Sequence, residues 1–230
     1  MRKRKRINRG AAMMEFMLLV PVWLPLILGT MWIGSAMVRG QQITQVARDL
    51  GSMYSRGVDF SSTGGSTSSA ILTEITQQVG TVAASGTGVV IFTSLTYVGN
   101  SVCASLNGTN GSTVYGVAPS SGSAGSHTAN CTNWGKFVFT QQYTQGNTNL
   151  LTSKFGTAPT NEMDTNFNIP SSYYVTNTNY VSTFNLVPAP QELGQDGYQS
   201  GQPIYVVETF FSGIGQKGYA SGSGYAYAIF

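Results

Sequence analysis

Charge is what this sequence has least of. Only 9% of its 230 residues are Asp, Glu, Lys or Arg, against about 25% in a typical soluble globular domain. There is one histidine, and there are two cysteines. Apolar content is an ordinary 41%, so Gly, Ser, Thr, Asn and Gln stand where charge is missing. That balance excludes a highly charged disordered chain, which would be poor in apolar residues. It also fits badly with a cytosolic enzyme or a nucleic-acid binder. The formal net charge of +3 is misleading. Six of the twelve Lys and Arg (Arg2, Lys3, Arg4, Lys5, Arg6 and Arg9) lie in the first ten residues, leaving six basic against nine acidic groups beyond them, a net of −3. No basic patch remains outside the leader, so nucleic acid is not an expected partner.

Side chains that carry chemistry are equally sparse. The lone His127 has neither a G-x-S-x-G elbow nor an adjacent carboxylate to build a Ser–His triad. It also lacks company as a zinc ligand, and a surface histidine is the better reading. No phosphate-cradling Gly loop precedes a helix. Asp164-Thr165-Asn166-Phe167-Asn168 alternates like a calcium loop, but Ile169 stands where the sharp turn needs glycine and the terminal glutamate is absent. A polar turn is the better reading there. The expectation is a protein that is not an enzyme, with no cofactor and no metal.

A long hydrophobic run is present. Ala11 to Val38 contains a single ionisable residue, Glu15, and a helix needs roughly 20 apolar residues to cross the hydrocarbon core. The run is too long for the apolar core of a secretory signal, and no small-residue cleavage site follows it closely. The basic cluster before it places the N-terminus in the cytoplasm, with Arg39 a milder opposing signal. The expectation is one span, N-terminus inside, head outside. Pro21 and Pro25 each remove a helix hydrogen bond and favour a kink or local unwinding. Glu15 is costly inside a membrane, and an anchor has no use for it. Snorkelling to the interface is one account of it.

The residues around Glu15 supply another. Gly10 is followed by Ala11, Ala12, Met13, Met14 and Glu15, then the apolar run. This resembles the type IV pilin leader, in which a basic stretch ends in glycine and glutamate is the fifth residue of the mature chain. The resemblance implies cleavage by a prepilin peptidase between Gly10 and Ala11, with the apolar segment retained. A free amine on Ala11 of one subunit would then neutralise Glu15 of a neighbour and set axial register. Arg9-Gly10-Ala11-Ala12-Met13-Met14-Glu15-Phe16, with Leu18, Pro21, Leu24, Gly29, Gln42, Ala47, Arg48 and Arg56, is similar to the TadE-like family of minor pilins and pseudopilins. A looser likeness covers Pro203 to Phe211. At Met31 to Gly34 the chain departs from many relatives, which carry an acidic residue there. The family implies other pilins or minor pilins and an inner-membrane assembly platform as partners. It also implies a bacterial inner-membrane location, a periplasmic or extracellular head and homo- or hetero-oligomers in a filament, with Glu15 and Phe16 at the assembly contact.

Beyond the span, Ile43, Val46, Ala47, Leu50, Met53 and Tyr54 fall on one helical stripe. The expected boundaries are a leader over 1–10, the span over 11–38, an amphipathic continuation over 39–58, a Gly/Ser/Thr linker over 59–69 and a head over 70–230. Ile71, Leu72, Ile75 and Val79 mark a second helix, and Val89–Val98 a strand bounded by glycines. Further strand candidates are Thr113–Val117, Phe137–Tyr143, Tyr180–Leu186, Ile204–Phe211 and Tyr225–Phe230. The fold class expected is α+β, a long N-terminal helix laid across a mainly antiparallel sheet. Cys103 and Cys131, in an exported head, most simply form a disulfide; two separate buried thiols are the alternative. Twelve tyrosines suit sheet packing and subunit contact equally. Two other function classes stay open: a tethered adhesin or carbohydrate-binding head, and a tethered hydrolase built on Glu162, Asp164 and Glu192.

Overall fold

The computed structural model describes residues 9–61, 65–99, 102, 132–133, 135–184, 201–213 and 223–230. Most of the leader, Cys103, Cys131, His127, Glu192 and the strand candidate Thr113–Val117 lie outside them. The first element, α1, is one α-helix over Arg9–Ser55. Pro21 and Pro25, where a kink or local unwinding is expected, both lie inside this one helix. Each proline removes one N–H from the ladder and leaves the helical path in place. Gly57 ends α1 with a positive φ of 86°. Its N–H bonds Tyr54 O at 2.9 Å, and Val58 N–H bonds Met53 O at 3.1 Å. This is a Schellman stop, in which only glycine takes the left-handed position without strain. Val58 then tucks against the core.

A second helix, α2, spans Gly65–Thr76, so it begins inside the run expected to be linker. Ser and Thr are weak helix formers, but Leu72 is buried, and Ile71 and Ile75 pack beside it. Docking of that apolar face sustains a helix that local propensity does not. Four strands follow: β1 Gly88–Tyr97, β2 Phe137–Gly146, β3 Pro203–Phe211 and β4 Gly224–Ile229. They form one antiparallel sheet in the order β2-β1-β3-β4. The fold is α+β, as expected. Thr140 is an extra residue between the pairs Ser94↔Gln141 and Leu95↔Phe139, and its hydroxyl meets Ser94 Oγ at 2.9 Å across the bulge.

Every residue of β1 is buried, because both sheet faces are covered. On one face, Val90, Phe92, Val207, Phe211, Ala226 and Ala228 pack against Ile43, Ala47, Leu50 and Tyr54 of α1 and Leu72 of α2. On the other, Leu95, Phe139, Ile204 and Val206 meet Ala158, Ile169, Tyr180 and Phe184. That second cover is segment 147–184, whose only regular elements are the short helix α3, Ser171–Tyr174, and a 3-10 turn, Thr178–Tyr180. The strand expected over Tyr180–Leu186 is therefore corrected. Asn177 accepts from Asn179 N–H and caps the turn, Val181 makes only an isolated bridge to Val138, and Thr183 N–H bonds Phe155 O within the cover. Residues 185–186 fall outside the described set.

Candidate functional site

The site candidates of the sequence lie along α1. Gly10 and Ala11 are in its first turn, where backbone N–H groups have no partner within the helix. Ala11 and Glu15 are four residues apart along α1. Glu15 is exposed, and its neighbour Phe16 is 68% exposed. Pro21 and Pro25, also four residues apart, share a face. Over Met13 to Val38 the large apolar side chains protrude from the molecule, among them Leu18, Trp23, Leu26, Trp32 and Met37. An 18-residue window in this stretch has a mean hydropathy of 2.0 and no buried residue. At 1.5 Å per residue the bare stretch is about 39 Å long, enough to cross a hydrocarbon core of about 30 Å. It is consistent with a single-pass membrane anchor.

The helix changes character at Gly40. Ile43, Ala47 and Leu50 are at most 1% exposed, while Gln41, Gln45, Arg48 and Asp49 form an outward polar strip. One rigid element thus joins an apolar stalk to the head. Its distal end is locked in place by aromatic rings and hydrogen bonds. Tyr54 meets Phe92, Tyr143 and Tyr205 edge-on, with centroids 5.1–6.0 Å apart. Its hydroxyl donates to Gln141 Oε1 at 2.7 Å. Phe60 stacks on Phe92, its N–H bonds the Tyr143 hydroxyl at 3.2 Å, and its carbonyl accepts from Gln145 Nε2 at 2.9 Å. Burial pushes the Tyr54 and Tyr143 phenols well above their usual range.

Two polar groups inside the head have no counterpart among the sequence candidates. Glu208, in the middle of β3, is fully buried. Its carboxylate accepts from Ser153 Oγ, from Lys154 N–H at 2.9 Å and from the Tyr225 hydroxyl at 2.8 Å. Lys154 Nζ lies 3.7 Å from the Tyr225 ring centre, and burial together with the Glu208 contact raises the Tyr225 phenol. Gln142 accepts from Ala158 N–H at 2.7 Å and donates to Gly156 O at 3.0 Å. Both residues fasten the irregular cover to the sheet. The signal for Glu208 was an acid alone in an apolar strand, but its partners lie 17 to 55 residues away and sequence does not name them.

Of the remaining candidates, Glu162 and Asp164 are among the described residues, and both are engaged in local hydrogen bonds. Asp164 Oδ1 accepts from Asn166 and Asn168 N–H, both at 2.8 Å, and Oδ2 from Asn168 Nδ2 at 3.1 Å. These bonds hold its carboxyl below the usual range and make the segment a self-closed turn. Glu162 receives the Tyr173 hydroxyl. Among the described residues, no three His, Cys, Asp or Glu side chains are grouped to hold a metal.

No curated protein and no solved structure matches the chain. A family model described as TadE-like protein matches residues 10–51. The matched segment starts at Gly10, takes in the whole bare stretch and ends within the docked half of α1. Over residues 10–51, which lie within this helix, the chain is similar to the TadE-like family.

Proposed function

We propose that the protein is a minor pilin or pseudopilin acting in assembly of a Tad/Flp-type pilus or its envelope machinery. The observation that carries this reading is α1, one helix that is bare and apolar for its first half and docked on a sheet for its second, in the segment matched as TadE-like. The basic leader holds the N-terminus in the cytoplasm. A prepilin peptidase cuts between Gly10 and Ala11, and the new Ala11 amine pairs with Glu15 of a neighbouring subunit, which offsets the burial of both charges. The stalk is held in the inner membrane beside other pilins and the assembly platform, and the head lies on the periplasmic side.

Mass spectrometry of the N-terminus in the native host tests the processing step. The expected mature chain begins at Ala11, and an intact Met1 in assembled protein overturns the reading. Glu15→Ala separates a pilus subunit from a plain tether for an adhesive or sugar-binding head. Loss of assembly with the protein still in the membrane is expected of the subunit, and a tether tolerates the change.

A further inference from the structure

The helical path through two prolines leaves two carbonyls without donors. In an α-helix the N–H of residue i bonds the carbonyl of residue i−4. Pro21 has no N–H for the carbonyl of Met17, and Pro25 has none for the carbonyl of Pro21. The three residues are spaced by four, so both orphan acceptors open on one face. Pro21 lies about 12 Å along the axis from Met13, the start of the bare apolar stretch, which puts its carbonyl well inside a bilayer, where no water satisfies it.

Within Met13 to Val38 the donor inventory is short. The Thr30 hydroxyl donates to Ile27 O at 2.9 Å, and the Ser35 hydroxyl to Trp32 O at 2.8 Å. Both are used inside the same helix. The indole N–H groups of Trp23 and Trp32 remain, on side chains that are 62% and 48% exposed. Trp23 stands about 3 Å along the axis from Pro21, whereas Trp32 is about 16 Å away. At 100° per residue, Trp23 is rotated about 160° from Pro21 and about 120° from Met17. Donor and acceptors are therefore level with each other on different faces, and one helix cannot join them.

We infer that the bare half of α1 contacts a second, parallel copy of this chain, the Trp23 indole N–H of one copy donating to the orphan carbonyls of Met17 and Pro21 on the next. The argument rests on the membrane-spanning reading above. It names the same chain as partner because this one segment carries both the unmet acceptors and a free donor at their depth. A contact between different faces is heterologous, so it extends from copy to copy without closing as a twofold pair.

The test uses full-length chains, labelled for energy transfer and reconstituted into phosphatidylcholine–phosphatidylglycerol vesicles. Trp23→Phe keeps the ring and removes the N–H, and is expected to weaken association about threefold to tenfold. Trp32→Phe is expected to leave it unchanged. Pro21→Ala with Pro25→Ala restores the two missing donors, and in that background Trp23→Phe should matter less than twofold. Wild-type association by Trp23→Phe overturns the contact, and so does an equal loss in both backgrounds. Alkaline carbonate extraction separates the two failures. A chain released from the vesicles overturns the spanning reading and the contact with it, while a retained chain with unaltered association overturns the contact alone. Far-UV circular dichroism of each variant checks that the head remains folded.

Discussion

At the scale of single residues, the head is organised by polar groups that the hydrophobic pattern does not advertise. Glu208 offers one carboxylate to β4 and to two residues of the cover, and hydrogen bonds to a buried charge are among the stronger ones in a protein. Glu208→Ala leaves the Ser153 hydroxyl, the Lys154 N–H and the Tyr225 hydroxyl without an acceptor, and is expected to cost about 3 kcal/mol. Thermal unfolding of the full chain in detergent reads this directly, and an unchanged Tm contradicts it. The tyrosines give a pH dependence. Burial raises the Tyr54, Tyr143 and Tyr225 phenols above the ordinary value of about 10. The native state therefore holds protons that the unfolded chain releases, so their contribution is fully present below about pH 10 and is lost as pH rises beyond it. Absorbance titration at alkaline pH should show part of the twelve tyrosines ionising only with unfolding. A single uniform titration near pH 10 refutes this.

At the scale of elements, legibility followed the range of the determining interaction. The long helix, β1, β2, β3 and β4 were readable because their apolar periodicity is local. The start of α2 within 59–69 is not legible locally, because that helix rests on burial of Leu72 in the core, and the strand expected from Tyr180 gives way to a 3-10 turn capped by the Asn177 side chain. The fit of α1 on the sheet depends on Gly51, where a Cβ would intrude on the Phe230 ring. Gly51→Ala is expected to push the half-exposed Phe230 ring aside and to destabilise by at most about 1 kcal/mol. In a Phe230→Ala background the same change should instead stabilise by up to about 1 kcal/mol, since alanine is the better helix former. Equal effects in the two backgrounds, measured by urea unfolding, would show that Phe230 is not the obstacle.

At the scale of the whole molecule, α1 is bare and apolar over its first half and docked on the sheet over its second. Removal of residues 1–38 leaves Ile43 to Tyr54 on the sheet, and the head is expected to remain folded and to become soluble without detergent. Removal of residues 1–58 uncovers Val90, Phe92, Val207 and Phe211, and the product is expected to aggregate, as size-exclusion chromatography will show. The sequence by itself determined the basic N-terminal cluster, the long apolar run with Glu15 as its one ionisable residue and the resemblance that follows from them, because these depend on composition and spacing along one helix. Only the tertiary structure decided how the second sheet face is closed, which polar side chains fasten that cover, and where the helix turns from stalk to core strut. Those depend on Glu208, Gln142 and Tyr54 meeting residues tens of positions away, and a single chain of letters does not record which distant groups will share a buried space.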